Sequence, residues 1–153
     1  MIIRKAENTE KDCNLVFALS NDPIVRENSF NTKPIEYFSH CEWFKRTLAD
    51  EKVLFFLAFE EETFVGQIRF NRESAVAEKC VISLSITAQF RGRHIGLQFL
   101  ELGISELRKN WQTVKAVTAD VKAGNKASSK LFESAGFKEI DSEDFYTYRL
   151  DIR

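Results

Sequence analysis

Between Lys79 and Val121 the sequence passes from strand to helix and back to strand, and this limits the fold more than any other feature. Lys79 to Thr87 alternates Ile82, Leu84 and Ile86 with Ser83, Ser85 and Thr87, the period of a strand with two unlike faces. From about Arg93 to Lys109, Leu97, Leu100, Ile104 and Leu107 recur at helical spacing. Val114 to Val121 is again a strand pattern. Two strands joined by a crossover helix lie parallel.

The flanking segments predict antiparallel neighbours. Val53 to Phe59 and Phe64 to Asn71 enclose the charged turn Glu60-Glu61-Glu62 and read as a hairpin. Ile2 to Lys5 reads as a short first strand, and Phe137 to Ile140 and Phe145 to Ile152 as closing strands. Helices are expected from Thr9 to about Ser20, from Thr32 or Lys33 to about Ala49 with Pro34 in the first turn, and from Asn125 to Ala135 with Gly136 as the C-terminal stop. Asn21 to Lys33 reads as a loop with at most short helical turns. Tyr37, Cys41, Phe44 and Leu48 mark a buried stripe; Glu36, His40, Trp43 and Thr47 fall on a different face. The fold class is mixed α/β: about seven mostly antiparallel strands, about four helices and one parallel pair. It is not a doubly wound dinucleotide fold.

A chain of 153 residues fits one domain, 1–153. Its net charge of −1, from 22 basic and 23 acidic side chains, argues against a nucleic-acid or membrane-surface binder. Cys13, Cys41 and Cys80 are widely spaced without a Cys-x-x-Cys pair, so neither a disulfide framework nor a metal site is expected. The N-terminus lacks an apolar signal region, and the longest apolar run, Val53 to Phe59, is far too short for a bilayer. A cytoplasmic protein is expected.

The first chemical signal is Gln89-Phe90-Arg91-Gly92-Arg93-His94-Ile95-Gly96, where a strand turns at once into a helix. Such a turn aims free N–H groups and a helix dipole at one point, a natural anion site. Gly92 and Gly96 permit close approach, Arg91 and Arg93 add charge, and a diphosphate is the natural guest. A plain turn with solvated arginines is the alternative. There is no Gly-Lys-Ser/Thr and no GxGxxG. The second signal is Asn125 to Phe137, with Asn125, Ser128, Leu131, Phe132, Gly136 and Phe137 at fixed spacing.

In order and spacing these two segments resemble the Gln/Arg-x-x-Gly-x-Gly/Ala and Asn-x-x-Ala/Ser-x-x-Leu-Tyr-x-x-x-Gly-Phe motifs of the GNAT acetyltransferases. The resemblance is closest over Ile82 to Phe137 and spans nearly the whole chain in element order. It implies an acetyl-CoA-dependent N-acetyltransferase that needs no metal. It further implies that the main chain of Arg91, Gly92, Arg93, His94, Ile95 and Gly96 holds the CoA pyrophosphate. The main chain of Leu84, Ser85, Ile86 and Thr87 pairs with the pantetheine arm, and the N–H near Ile86 faces the thioester oxygen. Asn125 and Ser128 fall at positions that contact the cofactor, though Asn125 also suits a helix cap.

Two residues depart from the pattern. His94 replaces the middle glycine of the loop, where a helical φ would tolerate it as a rim residue over the phosphates. Phe132 stands where many members carry a Tyr that protonates the departing thiolate; Ser128 is a substitute donor, and water is another. A neutral amine needs a base. Asp120, on the strand face with Ala116 and Thr118, is the first candidate, and His40 the second.

The stretch Asn21 to Phe30, with Pro34-Ile35 and His40 to Phe44, resembles the GNAT branch of pseudaminic-acid-type, nucleotide-linked amino-sugar pathways. On that reading Arg26 meets a phosphate, Asn28, Ser29 and His40 read hydroxyls, Trp43 stacks on a sugar or base, and Phe30 joins them on the substrate side; the alternative is that Trp43 and Phe44 are core and Arg26 makes a surface ion pair. A peptide N-terminus is the other acceptor considered, and a non-catalytic CoA-binding regulatory module the other class. A homodimer stays open.

Overall fold

A computed structural model describes residues 1–153. The order is β1 (Ile2–Lys5), α1 (Glu10–Ser20), α2 (Pro23–Asn28), α3 (Tyr37–Leu48), β2 (Val53–Glu60), β3 (Thr63–Asn71), β4 (Lys79–Ile86), a short 3-10 turn (Ala88–Phe90), α4 (Ile95–Asn110), β5 (Ala116–Val121), α5 (Lys126–Ser134), β6 (Lys138–Asp141) and β7 (Tyr146–Asp151). The seven strands form one sheet ordered β1-β2-β3-β4-β5-β7-β6. Every neighbouring pair is antiparallel except β4 and β5. The crossover helix α4 therefore imposes the expected parallel pair.

That pair is short. β4 and β5 are in register only from Lys79–Ala116 through Val81–Thr118. β4 continues to Ile86 paired with β3 alone, and β5 to Val121 paired with β7 alone. The sheet thus opens between their C-terminal halves.

Apolar side chains cover both faces. Ile68, Phe70, Cys80, Ile82, Val117, Ala119 and Val121 pack with Phe99, Leu100 and Leu107 of α4 and Phe132 of α5 in the larger core. Phe55, Leu57 and Phe59 pack on the opposite face with Cys13 and Val16 of α1 and Phe44 of α3. Cys13 and Cys41 Sγ atoms lie 3.5 Å apart and all three cysteines are free.

Three helix boundaries differ from the sequence expectation, each for a local reason. Pro23–Asn28 forms a fifth helix because Asp22 accepts from the N–H groups of Ile24 and Val25, with Pro23 in the first turn. α3 begins at Tyr37, not at Thr32 or Lys33. The Asn21 amide binds both the N–H and the carbonyl of Ile35, holding that segment out of the helix, and the Glu36 carboxylate then caps Phe38 and Ser39. α4 begins at Ile95 because Gly92 and His94 have φ of 73° and 57°, outside the right-handed helix. The α3 stripe is also rotated. His40 is buried while Tyr37 is exposed, so the core side runs through His40 and Phe44.

Arg4 of β1 anchors α1. Its guanidinium meets both Asp12 oxygens at 2.8 and 2.9 Å, and the Glu7 N–H donates to the same carboxylate. Burial alone would raise the Asp12 pKa; the Arg4 fork and the Glu7 N–H outweigh it and hold it below the usual carboxylate value. A group whose folded pKa is lowered adds stability that is full above its unfolded pKa of about 3.9. That stability is lost as pH falls through the lower folded pKa. Asp12→Asn is expected to flatten the acid limb of the melting temperature against pH, measured by circular dichroism from pH 7 down to about 2.

Candidate active site

The turn after β4 meets the requirements of an anion site. The N–H of Phe90 bonds Thr87 and that of Arg91 bonds Ala88, but no main-chain N–H from Gly92 to Leu97 meets a protein acceptor. Six consecutive donors are therefore free at the positive end of a 16-residue helix. Gly92 is required by its φ of 73°, since a Cβ there would touch nothing. Gly96 serves packing: a Cβ would meet the Ile86 and Leu131 side chains at 3.3 and 3.4 Å. His94 does not have the helical φ expected of it. It is left-handed and exposed at the N-terminus of α4.

The two loop arginines differ. Arg93 is exposed, its guanidinium 5.7 Å from the Phe90 ring centroid, and free to meet an anion. Arg91 is engaged: its Nη2 lies 2.9 Å from Oδ1 of Asp22, the residue that caps α2. Burial pushes the Asp22 pKa up, but the Arg91 bond and the α2 amides outweigh it and leave it lowered. Arg91 thus ties the loop to α2 rather than adding a free charge.

Behind the loop lies the gap between β4 and β5. The Thr87 N–H donates to the Val65 carbonyl at 2.8 Å. Antiparallel alternation then turns the N–H groups of Ser85 and Ser83 toward β3, and those of Leu84 and Ile86 into the gap. From the far side, α5 closes the gap. Asn125 caps α5 by accepting from the Ser128 N–H at 3.2 Å, while the Ser128 hydroxyl has no protein partner and is half-buried. Phe132 is buried with its ring centroid 5.0 Å from that of Phe137 and 6.4 Å from that of Tyr148.

The opposite face of the sheet carries a cavity of about 380 Å³. Ser20, Val25, Arg26, Ser29, Ile35, Ser39, His40 and Trp43 wall it from α1, α2, α3 and their links. Gln67 and Arg69 of β3 and Ser83 and Ser85 of β4 form its floor. No Asp or Glu lines it.

Of the residues expected on the acceptor side, Arg26, Ser29, His40 and Trp43 come together in this cavity. Arg26 spends Nε and Nη1 on the carbonyls of Ser20, Asn31 and Lys33, so it chiefly orders the α2–α3 link. Ser29 donates to the Val25 carbonyl. His40 Nε2 lies 2.9 Å from the Cys13 carbonyl, which can only accept; Nε2 therefore carries the proton and only Nδ1 offers a lone pair. Burial lowers the His40 pKa. Asn28 and Phe30 do not line the cavity; Phe30 is 59% exposed and packs edge-on against Phe145. Asp120 is exposed on the cavity side of the sheet, across the gap from Ser83 and Ser85, and accepts from the Thr147 hydroxyl at 3.0 Å.

Gln67 and Arg69 are the residues that sequence reasoning missed. Their signal was present: they are the polar residues inside the otherwise apolar run from Phe64 to Phe70, in register with Ser85 and Ser83.

The sequence profile of the acetyltransferase (GNAT) domain matches residues 1–138. Acetyltransferase PseH from Campylobacter jejuni is 25% identical over 141 residues, 92% of this chain and 86% of that protein. The structure of ribosomal-protein-alanine N-acetyltransferase from Brucella melitensis superposes with a TM-score of 0.80 at 22% identity, covering 99% of this chain and 100% of that one. Campylobacter jejuni PseH in complex with acetyl coenzyme A gives a TM-score of 0.77 at 22% identity, with 99% and 100% covered.

Gly92→Asp puts a carboxylate among the free amides and a Cβ at positive φ. It is expected to weaken coenzyme A binding by about tenfold or more in titration calorimetry, with the melting temperature only slightly lowered.

Proposed function

The chain belongs to the GNAT acetyltransferase family, and from that premise we propose that it acetylates the primary amine of a nucleotide-linked amino sugar. The acetyl group comes from acetyl-CoA, by direct attack within a ternary complex. The observation that carries the acceptor reading is the cavity: it is free of acids, rich in serines, walled by Trp43, and floored by the strand that borders the gap. A cationic polyamine or basic peptide would find no counter-charge there. Serine hydroxyls suit sugar hydroxyls, and the Trp43 face suits a ring. The identity to PseH supports the same choice, as does the likeness of the α2–α3 segment to the amino-sugar branch.

In this reading the six free amides and Arg93 hold the CoA pyrophosphate, and the gap-facing edge of β4 pairs with pantetheine. The amine nitrogen attacks the thioester carbon, its proton passes to Asp120 directly or through a water, and an Ile86 or Leu84 N–H holds the oxyanion. The N–C bond forms, the C–S bond breaks, and CoA leaves as a thiolate. Phe132 cannot protonate it. With a thiol pKa of about 8.5, a thiolate is a tolerable leaving group near neutrality, and the unpartnered Ser128 hydroxyl is the candidate donor on α5. A cytoplasmic site of action accords with this chemistry; no helix is long and apolar enough to cross a membrane.

Thiol release from acetyl-CoA, measured over UDP- and dTDP-linked amino sugars, peptide N-termini and polyamines, tests the acceptor. Turnover is expected with a nucleotide-linked amino sugar and not with the cationic amines. Coenzyme A binding without turnover on any amine would instead indicate the non-catalytic module. With the preferred acceptor, Asp120→Asn should lower kcat about a hundredfold, with the deficit shrinking as pH rises and the free amine deprotonates unaided.

A further inference from the structure

Two polar side chains on the floor of the cavity keep hydrogen-bonding capacity that the protein does not use: Gln67, which is buried, and Arg69, which is half-buried. Gln67 is 7% exposed, and its Oε1 is buried without a donor. A buried amide oxygen in that state awaits an N–H or O–H from something not part of the fold. Arg69 takes part in none of the protein's ion pairs. Its Nε donates to Asn71 at 3.2 Å and its Nη2 reaches Ser83 at 3.5 Å, while Nη1 has no acceptor. The guanidinium lies 5.1 Å from the Trp43 centroid and 5.6 Å from that of Phe55. Those rings fix its plane without neutralising it, and burial lowers its pKa.

The charge around it is one-sided. The cavity holds two arginines and no carboxylate, and Arg26 is already engaged with carbonyls. Arg69 is the cation left to act. A planar guanidinium held by aromatic rings suits a phosphate or carboxylate met in a bidentate way.

The strand register adds a distance. Gln67 stands opposite Ser85 and Arg69 opposite Ser83, one two-residue step or about 7 Å apart along β3. Ser85 adjoins Ile86, at the end of β4 nearer the anion-binding turn, so with the thioester oxygen on the Ile86 N–H, Gln67 is the nearer of the two to the acyl carbon. We propose that Arg69, with Ser83, binds an oxyanion of the acceptor while Gln67 accepts a hydrogen from the attacking amine. The acceptor then carries its amine and its oxyanion about 7 Å apart, the reach across one sugar ring from an amine to a 1-phosphate. This rests on the cavity being the acceptor site, as proposed above, and makes Arg69 the residue that selects amines bearing an oxyanion over those without one.

The test is calorimetric titration of the coenzyme A-saturated protein with two matched pairs of probes. One pair is 4-amino-4-deoxyglucose and its 1-phosphate; the other is pentylamine and 5-aminopentanoate. At least one oxyanion-bearing member should bind about tenfold or more tighter than its partner without the oxyanion, and Arg69→Gln should erase that gain. The same substitution should leave coenzyme A affinity unchanged. Gln67→Leu should weaken both members of a pair alike. Equal binding within both pairs by the unaltered protein overturns the proposal, whether or not any variant folds. So does a gain that survives Arg69→Gln. A gain confined to 5-aminopentanoate keeps the oxyanion subsite and removes the nucleotide-linked acceptor. Acetylation of a nucleotide-linked amino sugar with an unchanged KM in Arg69→Gln keeps that acceptor and removes the subsite.

Discussion

Two parallel strands that stop pairing after three residues are the condition for everything this protein can do. In a closed sheet the N–H groups of Leu84 and Ile86 would be spent on β5. Here they face an open gap, because β4 leans toward β3 and β5 toward β7 once Val81 and Thr118 have been passed. Unpaired main chain at the centre of a sheet is costly unless a ligand or water takes its place. The two cores on either side supply the stability that lets the opening persist, with α4 and α5 clamping one face and α1 and α3 the other.

The opening joins two environments of different character. On the α4 side lie free amides, a helix dipole and Arg93, suited to a diphosphate. On the α1–α3 side lies a polar cavity with aromatic walls and unbalanced positive charge. Ser83 and Ser85 belong to the cavity by their side chains, while Leu84 between them faces the gap by its N–H. Strand alternation alone sets a donor-facing and an acceptor-facing group next to one another on β4.

Much of this was legible in the sequence. The βαβ signal forces the parallel pair, the hairpin pattern forces its neighbours, and the Gln89–Gly96 and Asn125–Phe137 segments mark the turn and the helix that border the gap. What escaped was decided by contacts remote in sequence. The late start of α3 depends on Asn21 reaching Ile35 across 14 residues. Arg91 reads as a free cation until Asp22 is placed beside it by the fold. Arg26 looks like a wholly free cation until the loop it orders is seen to take three of its five N–H groups. Arg69 and Gln67 sit in a hydrophobic strand, where polar residues draw attention only once the opposing strand is known.

The ion pair between Arg91 and Asp22 has a wider meaning for how such an enzyme is dissected. One end of it belongs to the turn whose free amides suit a diphosphate, the other to the cap of a helix that walls the opposite chamber. The two compartments share a hinge pin, so neither can be remodelled in isolation. A redesign of α2 for a different amine would also have to keep Asp22 in reach of Arg91, or retune the grip on the nucleotide as a side effect.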